Sequence, residues 1–214
     1  MDANQDQLAN PFGMDESCRN CPELCGTRTQ VVHGYGDVGA DFLFVAERPS
    51  ERADSVGVPA PTVETAADRG TTLHRILERL GLCAIDSDPT EPRLGNAYLT
   101  HLTRCRHPDR SPTDEEIGNC EPFLNAEVRM INPEIIVPIG QRALVEVGRE
   151  YTARPTSDLE LPEYHATSIR GRGFELVPML DPVGQTDNQT QEWLEAFAVL
   201  MASDYRQTKG RRER

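Results

Sequence analysis

Four apolar runs of strand length punctuate the chain, and a helix-like pattern follows each of them. DFLFVAE (41–47) precedes TTLHRILERLGL (71–82), and NAYLTHLTR (96–104) precedes TDEEIGNCEPFLNAEVRMI (113–131). PEIIVPIG (133–140) runs into QRALVEVG, and GFELVPML (173–180) precedes TQEWLEAFAVLMAS. Strands that alternate with helices predict a three-layer α/β/α sandwich around a central, mainly parallel sheet. Boundary signals agree with the pattern. Gly81 closes the first helix, Thr113 with Glu116 three residues on is a capping box that opens the second, and Pro122 inside it predicts a bend. Sheets of this kind bind ligands at the carboxyl ends of their strands. A site is therefore expected on the loops AERPSERAD, RCRHPDRSPT and LDPVGQ.

At 214 residues with 37% apolar content, the chain is the size of one domain with a real core. Residues 1–16 read as a flexible leader, 17–202 as the domain and 203–214 as a flexible basic tail, with a loop over PAPTVETAAD (59–68). No run approaches eighteen apolar residues, and the polar, acidic start MDANQDQLANPFGMDE has neither a basic nor an apolar targeting region. A soluble, cytoplasmic, monomeric protein without a membrane partner is the expectation. Acidic residues outnumber basic ones 35 to 22, and Lys209 is the sole lysine. A carboxylate-rich, lysine-poor surface suits a salt-rich, halophilic cytoplasm, where self-repulsion is screened; an ordinary acidic protein is the alternative. In that setting the net charge of −13 does not exclude a nucleic-acid partner.

Six cysteines in a reducing compartment point to metal or catalysis rather than disulfides. Cys18 and Cys21 form a C-x2-C pair in CRNCPELC, and Cys105 and Cys120 can close a set of four from afar. Such a set fits a cubane iron-sulfur cluster or a structural zinc, and spacing does not choose between them.

Several segments, in order, resemble the family 4 uracil-DNA glycosylases, the iron-sulfur branch of the uracil-DNA glycosylase superfamily. CRNCPELCGTRTQVVHGYGD is similar to that family's N-terminal signature. FLFVAERPSERADSVGVP falls on its G-E-A-P-G-x-x-E-D-x-x-G-x-P-F segment and keeps Glu47, Pro49, Asp54, Gly57 and Pro59. YLTHLTRCRHPDRSPTDEEIGNCEPFL falls on Y-I-T-N-x-x-K-C-R-P-P and the helix beyond, and INPEIIVPIGQRAL on I-x-P-x-x-I-x-x-L-G-x-x-A. The resemblance covers residues 18 to 200 or so and implies the α/β/α fold, a DNA partner and excision of a deaminated or damaged base. It also implies a four-iron four-sulfur cluster on Cys18, Cys21, Cys105 and Cys120, with Cys25 and Cys83 as spectators. The clamped loop would then present Arg104, Arg106 and Arg110 to phosphates; a solvated basic turn is the other reading of these arginines.

The resemblance assigns catalysis to Glu47, His101 and Asp181, and a base pocket to Arg48, Pro49, Asp54 and Ala60. At four of these positions the chain departs from the family, the first being Arg48, where the family has alanine. Ala60 stands where an aromatic residue stacks on the base, His101 where an asparagine reads its edge, and Asp181 where a histidine donates to the uracil oxygen. An acceptor carboxylate beside a departing anion repels it, so uracil excision by the family's route is expected to be impaired unless Asp181 is protonated or His101 or His165 supplies the donor. Glu47 either directs water or pairs with Arg48. Two functions stay open: a glycosylase of altered base preference, and a DNA-binding scaffold that kept the fold without turnover. A zinc-stabilised protein unrelated to repair is a third.

Overall fold

A computed structural model describes residues 6–58, 73–85, 87 and 91–205. In chain order its elements are α1 (Pro22–Thr27), β1 (Tyr35–Gly36), β2 (Phe42–Ala46), α2 (Glu51–Val56), α3 (Leu73–Arg79), β3 (Ala97–His101), α4 (Asp114–Ile131), β4 (Ile135–Pro138), α5 (Gln141–Tyr151), α6 (Leu161–Tyr164), β5 (Ile169–Arg170), β6 (Glu175–Leu176) and α7 (Asp187–Ala202), with a 3-10 turn over Thr156–Asp158 between α5 and α6. The strands form one sheet in the order β1-β3-β2-β4-β6-β5. Its four central strands are parallel, and β1 and β5 pair antiparallel at the two edges.

The strands bury both faces, and their side chains sort by parity. Phe42, Phe44, Ala97, Leu99, Ile135 and Val137 pack with Ile76 and Leu77 of α3 and Trp193, Leu194 and Phe197 of α7. Leu43, Val45, Tyr98, Ile136 and Leu176 pack on the other side with Ile117, Leu124, Val128 and Ile131 of α4 and Ala143, Leu144 and Val147 of α5. Two helical layers thus enclose the sheet, as the strand and helix alternation predicts.

The helix boundaries follow their capping chemistry. Thr113 accepts from the Glu116 amide and Glu116 reaches back to the Thr113 amide, the expected capping box. Thr186 and Gln189 form a second one, which starts α7 before the predicted TQEW segment. Both satisfy amides that the first turn leaves without partners. Pro122 sits inside α4 without ending it.

The leader is a correction. Phe12 and Met14 are buried, Ala9 bridges Tyr35, and Asn10 donates to the Gly34 carbonyl at 3.0 Å. The Phe12 ring lies 5.9 Å from that of Tyr98. Two apolar residues in a polar segment are enough to dock residues 6–16, since each fully buried side chain contributes ~1.5–3 kcal/mol. At the other end Tyr205 packs on Phe42 and bonds Asp41, so the tail is docked through residue 205; residues 206–214 lie outside the described residues, as does the loop over 59–68.

Candidate active site and thiol centre

The carboxyl ends of the parallel strands put four chain segments side by side. His101 ends β3 in register with Ala46 of β2, and the Leu102 and Thr103 amides bond the carbonyls of Ala46 and Glu47. On the other flank Ile139 donates to Val45, and Gly140 to Met179. His101, Glu47, Gly140 and the 180–181 turn therefore line one edge, with Asp181 two strand spacings, about 10 Å of backbone, from Glu47.

Glu47 is half-buried, and no described residue pairs or bonds with its carboxylate; the Glu47–Arg48 ion pair is not formed. His101 is 7% exposed and its Nδ1 has no partner. Burial, with the Arg104 cation adding to it, pushes the His101 pKa down to about 3, so the ring is neutral at physiological pH and carries one N–H donor and one acceptor. Asp181 is exposed, and its Oδ1 accepts from the Val183 amide at 3.0 Å. His165 is committed elsewhere: Nδ1 accepts from the Leu180 amide at 3.1 Å and Nε2 bonds the Gln189 carbonyl at 2.9 Å. It cannot take over as donor without releasing the loop that carries Asp181.

Much of the expected base pocket is framework. Arg48 donates to the His107 carbonyl at 3.0 Å and to that of Arg110, pinning the loop between Cys105 and Thr113. Pro49 is buried ahead of Ser50, which caps α2 by accepting from Ala53. Asp54 is buried and accepts from the Thr29 amide at 2.9 Å, tying α2 to the chain after α1. Gly57 ends α2 at φ 78°, where a Cβ would meet Gln30 at 2.5 Å. Ala60 and Pro59 lie outside the described residues.

The arginines also need correction. Arg104 is 1% exposed and holds Glu127, itself fully buried, at 2.7 Å, while its other arm donates to the His101 carbonyl. Glu127 further accepts from Gly34 N at 3.0 Å, Thr100 Oγ1 at 2.6 Å and Tyr98 Oη at 3.3 Å. A buried carboxylate needs such compensation, so Arg104 faces the core and not a phosphate. Arg110 grips both oxygens of Glu116 at 2.8 Å and Glu23 at 2.7 Å, bracing the loop between α1 and α4. Of the three, only Arg106 is loosely held, 3.9 Å from the exposed Glu51.

The cysteines gather where α1, the loop after β3 and the second turn of α4 meet. Cys18 and Cys21 pack against Leu24, Val31 and Cys105, and Cys120 is near enough to Cys18 and Cys21 for their ionisations to oppose one another. Arg28 Nη1 donates to Cys105 Sγ at 3.1 Å and its Nη2 to the Cys18 carbonyl; Asn119 Nδ2 donates to Cys21 Sγ at 3.5 Å. Burial raises the thiols of Cys21 and Cys120 and pushes Cys105 up to about 11. A metal must therefore displace protons to bind. Among the described residues no three His, Cys, Asp or Glu side chains already stand as a metal-holding group. The donor set still fits a thiolate-bound cluster: four soft ligands in one place, with N–H donors aimed at two of the sulfurs. Cys25 lies alongside, 3.7 Å from the Cys18 carbonyl. Cys83 is remote, beside Ser87 Oγ at 3.2 Å and His74 Nδ1 at 3.9 Å.

A family model described as the uracil DNA glycosylase superfamily matches residues 33–201. The chain belongs to that superfamily. It is 34% identical over 130 residues to a Type-4 uracil-DNA glycosylase of Thermotoga maritima, covering 60% of this chain and 59% of the relative. To the Type-4 enzyme of Archaeoglobus fulgidus it is 33% identical over 128 residues, 59% of this chain and 56% of the relative. A Type-5 uracil-DNA glycosylase of Pyrobaculum aerophilum matches at 26% over 147 residues, 59% and 63% of the two chains. The chain thus spans less than two thirds of the length of these relatives.

Within this superfamily member, four residues near the thiol centre, in its core supports or in the expected loops were not among those expected from the sequence. Arg28 and Asn119 face the sulfurs, Glu127 anchors Arg104, and Arg52 stands exposed on α2 with no described partner. Arg52 was within reach of sequence reasoning, since it follows Glu47 in the same expected loop. Glu127 was not, because its partner lies 23 residues away and both are types that ordinarily face water.

Proposed function

We propose that this chain is a DNA glycosylase that hydrolyses the N-glycosidic bond of a deaminated or damaged base during base excision repair. The observation that carries the reading is Glu47. The buried acids Glu116, Glu127 and Glu146 are each matched by arginine, and Asp54 by backbone amides, whereas the half-buried Glu47 has no partner among the described residues at the ligand-binding edge of the sheet. A carboxylate kept unpaired there is suited to a charge that arrives with the substrate.

With the base extruded into the site, Glu47 orients a water against C1′ of the sugar and offsets the positive charge that develops there. The C1′–N bond breaks with its electron pair leaving on the base, water adds its hydroxyl to C1′, and its proton is released through Glu47. The neutral N–H of His101 donates to the base, as a donor that needs no proton uptake. Asp181 offers no donor, so stabilisation of the departing base rests on His101. Arg52 of α2 and Arg106, which lies 3.9 Å from Glu51 of the same helix, contact phosphates. Cys18, Cys21, Cys105 and Cys120 hold a four-iron four-sulfur cluster, with structural zinc as the alternative. Bound there, the group supplies a cross-link that fixes the loop carrying Arg106. The reading takes residues 17–202 with the docked segments 6–16 and 203–205 as one catalytic domain, working as a monomer in the cytoplasm of a salt-accumulating cell; among the described residues no helix is long and apolar enough to cross a membrane.

The scaffold reading is favoured by one observation: Asp181, His165 and Gln185 are all engaged with the 180–189 segment. Oligonucleotides carrying uracil, hypoxanthine, xanthine or oxidised bases, single- and double-stranded, assayed for abasic sites at high salt, decide between the two. Excision of at least one base is expected. DNA binding without excision of any would establish the scaffold.

A further inference from the structure

Arg28 bridges two segments that have to meet if the four cysteines are to act together. One arm of its guanidinium donates to Cys105 Sγ at 3.1 Å, the other to the carbonyl of Cys18. The side chain is half-buried, and a guanidinium stays charged at any pH the protein meets. The backbone around it is fixed as well: the Arg28 amide bonds the Leu24 carbonyl at 2.9 Å, and the next two amides bond Asp54. Arg28 makes no described contact with an acid, although acids outnumber bases in the chain. Its partners are a sulfur and the carbonyl of a second cysteine.

We infer that Arg28 is a positioning residue of the thiol centre, holding Cys18 to Cys105 and donating a charged N–H bond to the Cys105 sulfur of the bound iron-sulfur cluster. The inference rests on the cluster reading above. A fork-shaped guanidinium can satisfy a sulfur and a carbonyl together, which a lysine ammonium does not match in geometry. Outer donors of this kind govern metal retention, and N–H bonds and positive charge at the sulfurs stabilise the more negative, reduced cluster. Arg28 therefore slows loss of the metal and raises the reduction potential. Asn119, neutral and 3.5 Å from Cys21 Sγ, makes the weaker bond and has the smaller effect.

The test uses the full chain purified without oxygen. Iron per chain, the visible charge-transfer absorption, the rate of iron loss to a chelator and the midpoint potential are measured for the parent, Arg28→Ala, Arg28→Lys and Asn119→Ala. Arg28→Ala should lose iron about tenfold faster or more, with a lower potential. Arg28→Lys keeps the charge but not the fork, and should fall between it and the parent; it also serves if Arg28→Ala does not fold. Asn119→Ala should stay nearest the parent. An iron-loaded parent whose Arg28→Ala and Arg28→Lys variants keep both its retention and its potential overturns the role of Arg28 and leaves the cluster standing. A parent that takes up no iron-sulfur cluster overturns the cluster reading and this inference with it.

Discussion

On the proposed glycosylase reading, Asp181 and His101 decide what the site can do to a departing base. The Asp181 carboxylate turns back on its own loop to accept from Val183, so on that reading it presents an acceptor where an N–H would stabilise the leaving group. Asp181→His should raise excision of uracil tenfold or more, about 1.4 kcal/mol of transition-state stabilisation, measured as single-turnover rates. An unchanged or lower rate would show that the acid itself takes part. His101, with a pKa near 3, stays neutral from pH 5 to 8. The single-turnover rate should show no limb near pH 6.5 that disappears in His101→Asn. A limb that does so would mean the imidazole works protonated.

The loop from Cys105 to Thr113 is held as an element. Arg48 takes two of its carbonyls, Arg110 takes Glu116 and Glu23, and the capping box at Thr113 fixes where α4 begins. Thr113→Ala removes the acceptor for the Glu116 amide and should cost about 1 kcal/mol, read as a lower denaturation midpoint at unchanged m-value; no loss would mean that Glu116 and Arg110 suffice. This element also shows what sequence can and cannot reveal. The capping box and the four long apolar runs are local patterns, and the structure has them where the sequence places them. The two-residue strands β1 and β5 are too short to alternate visibly, and the docked leader rests on two apolar residues in a polar stretch. Arg104, Arg110 and Asp54 look from sequence like groups for a substrate. Their partners Glu127, Glu23 and the Thr29 amide come from distant parts of the chain, and only the folded molecule shows that these charges are already used.

Across the whole molecule, burial of histidines ties stability to pH. His33, wedged edge-on to Phe123, is pushed down to about 4 by burial, and His101 to about 3. In the unfolded chain both titrate near 6.5, so below that pH the unfolded state binds protons that the native state refuses. Stability should be full above pH 6.5 and fall as pH drops toward 4, by about 2 kcal/mol per histidine at pH 5. Denaturant titrations at pH 7 and pH 5 check this, and the drop should shrink in His33→Gln. The proposed chemistry turns on Glu47, an acid with no partner among the described residues at the carboxyl edge of the sheet. The most direct measurement is single-turnover excision of the preferred base by Glu47→Gln beside the parent, with DNA affinity measured on the same samples. Excision slowed by two orders of magnitude or more with affinity retained is the predicted result. A Glu47→Gln protein that excises the base as fast as the parent would contradict it.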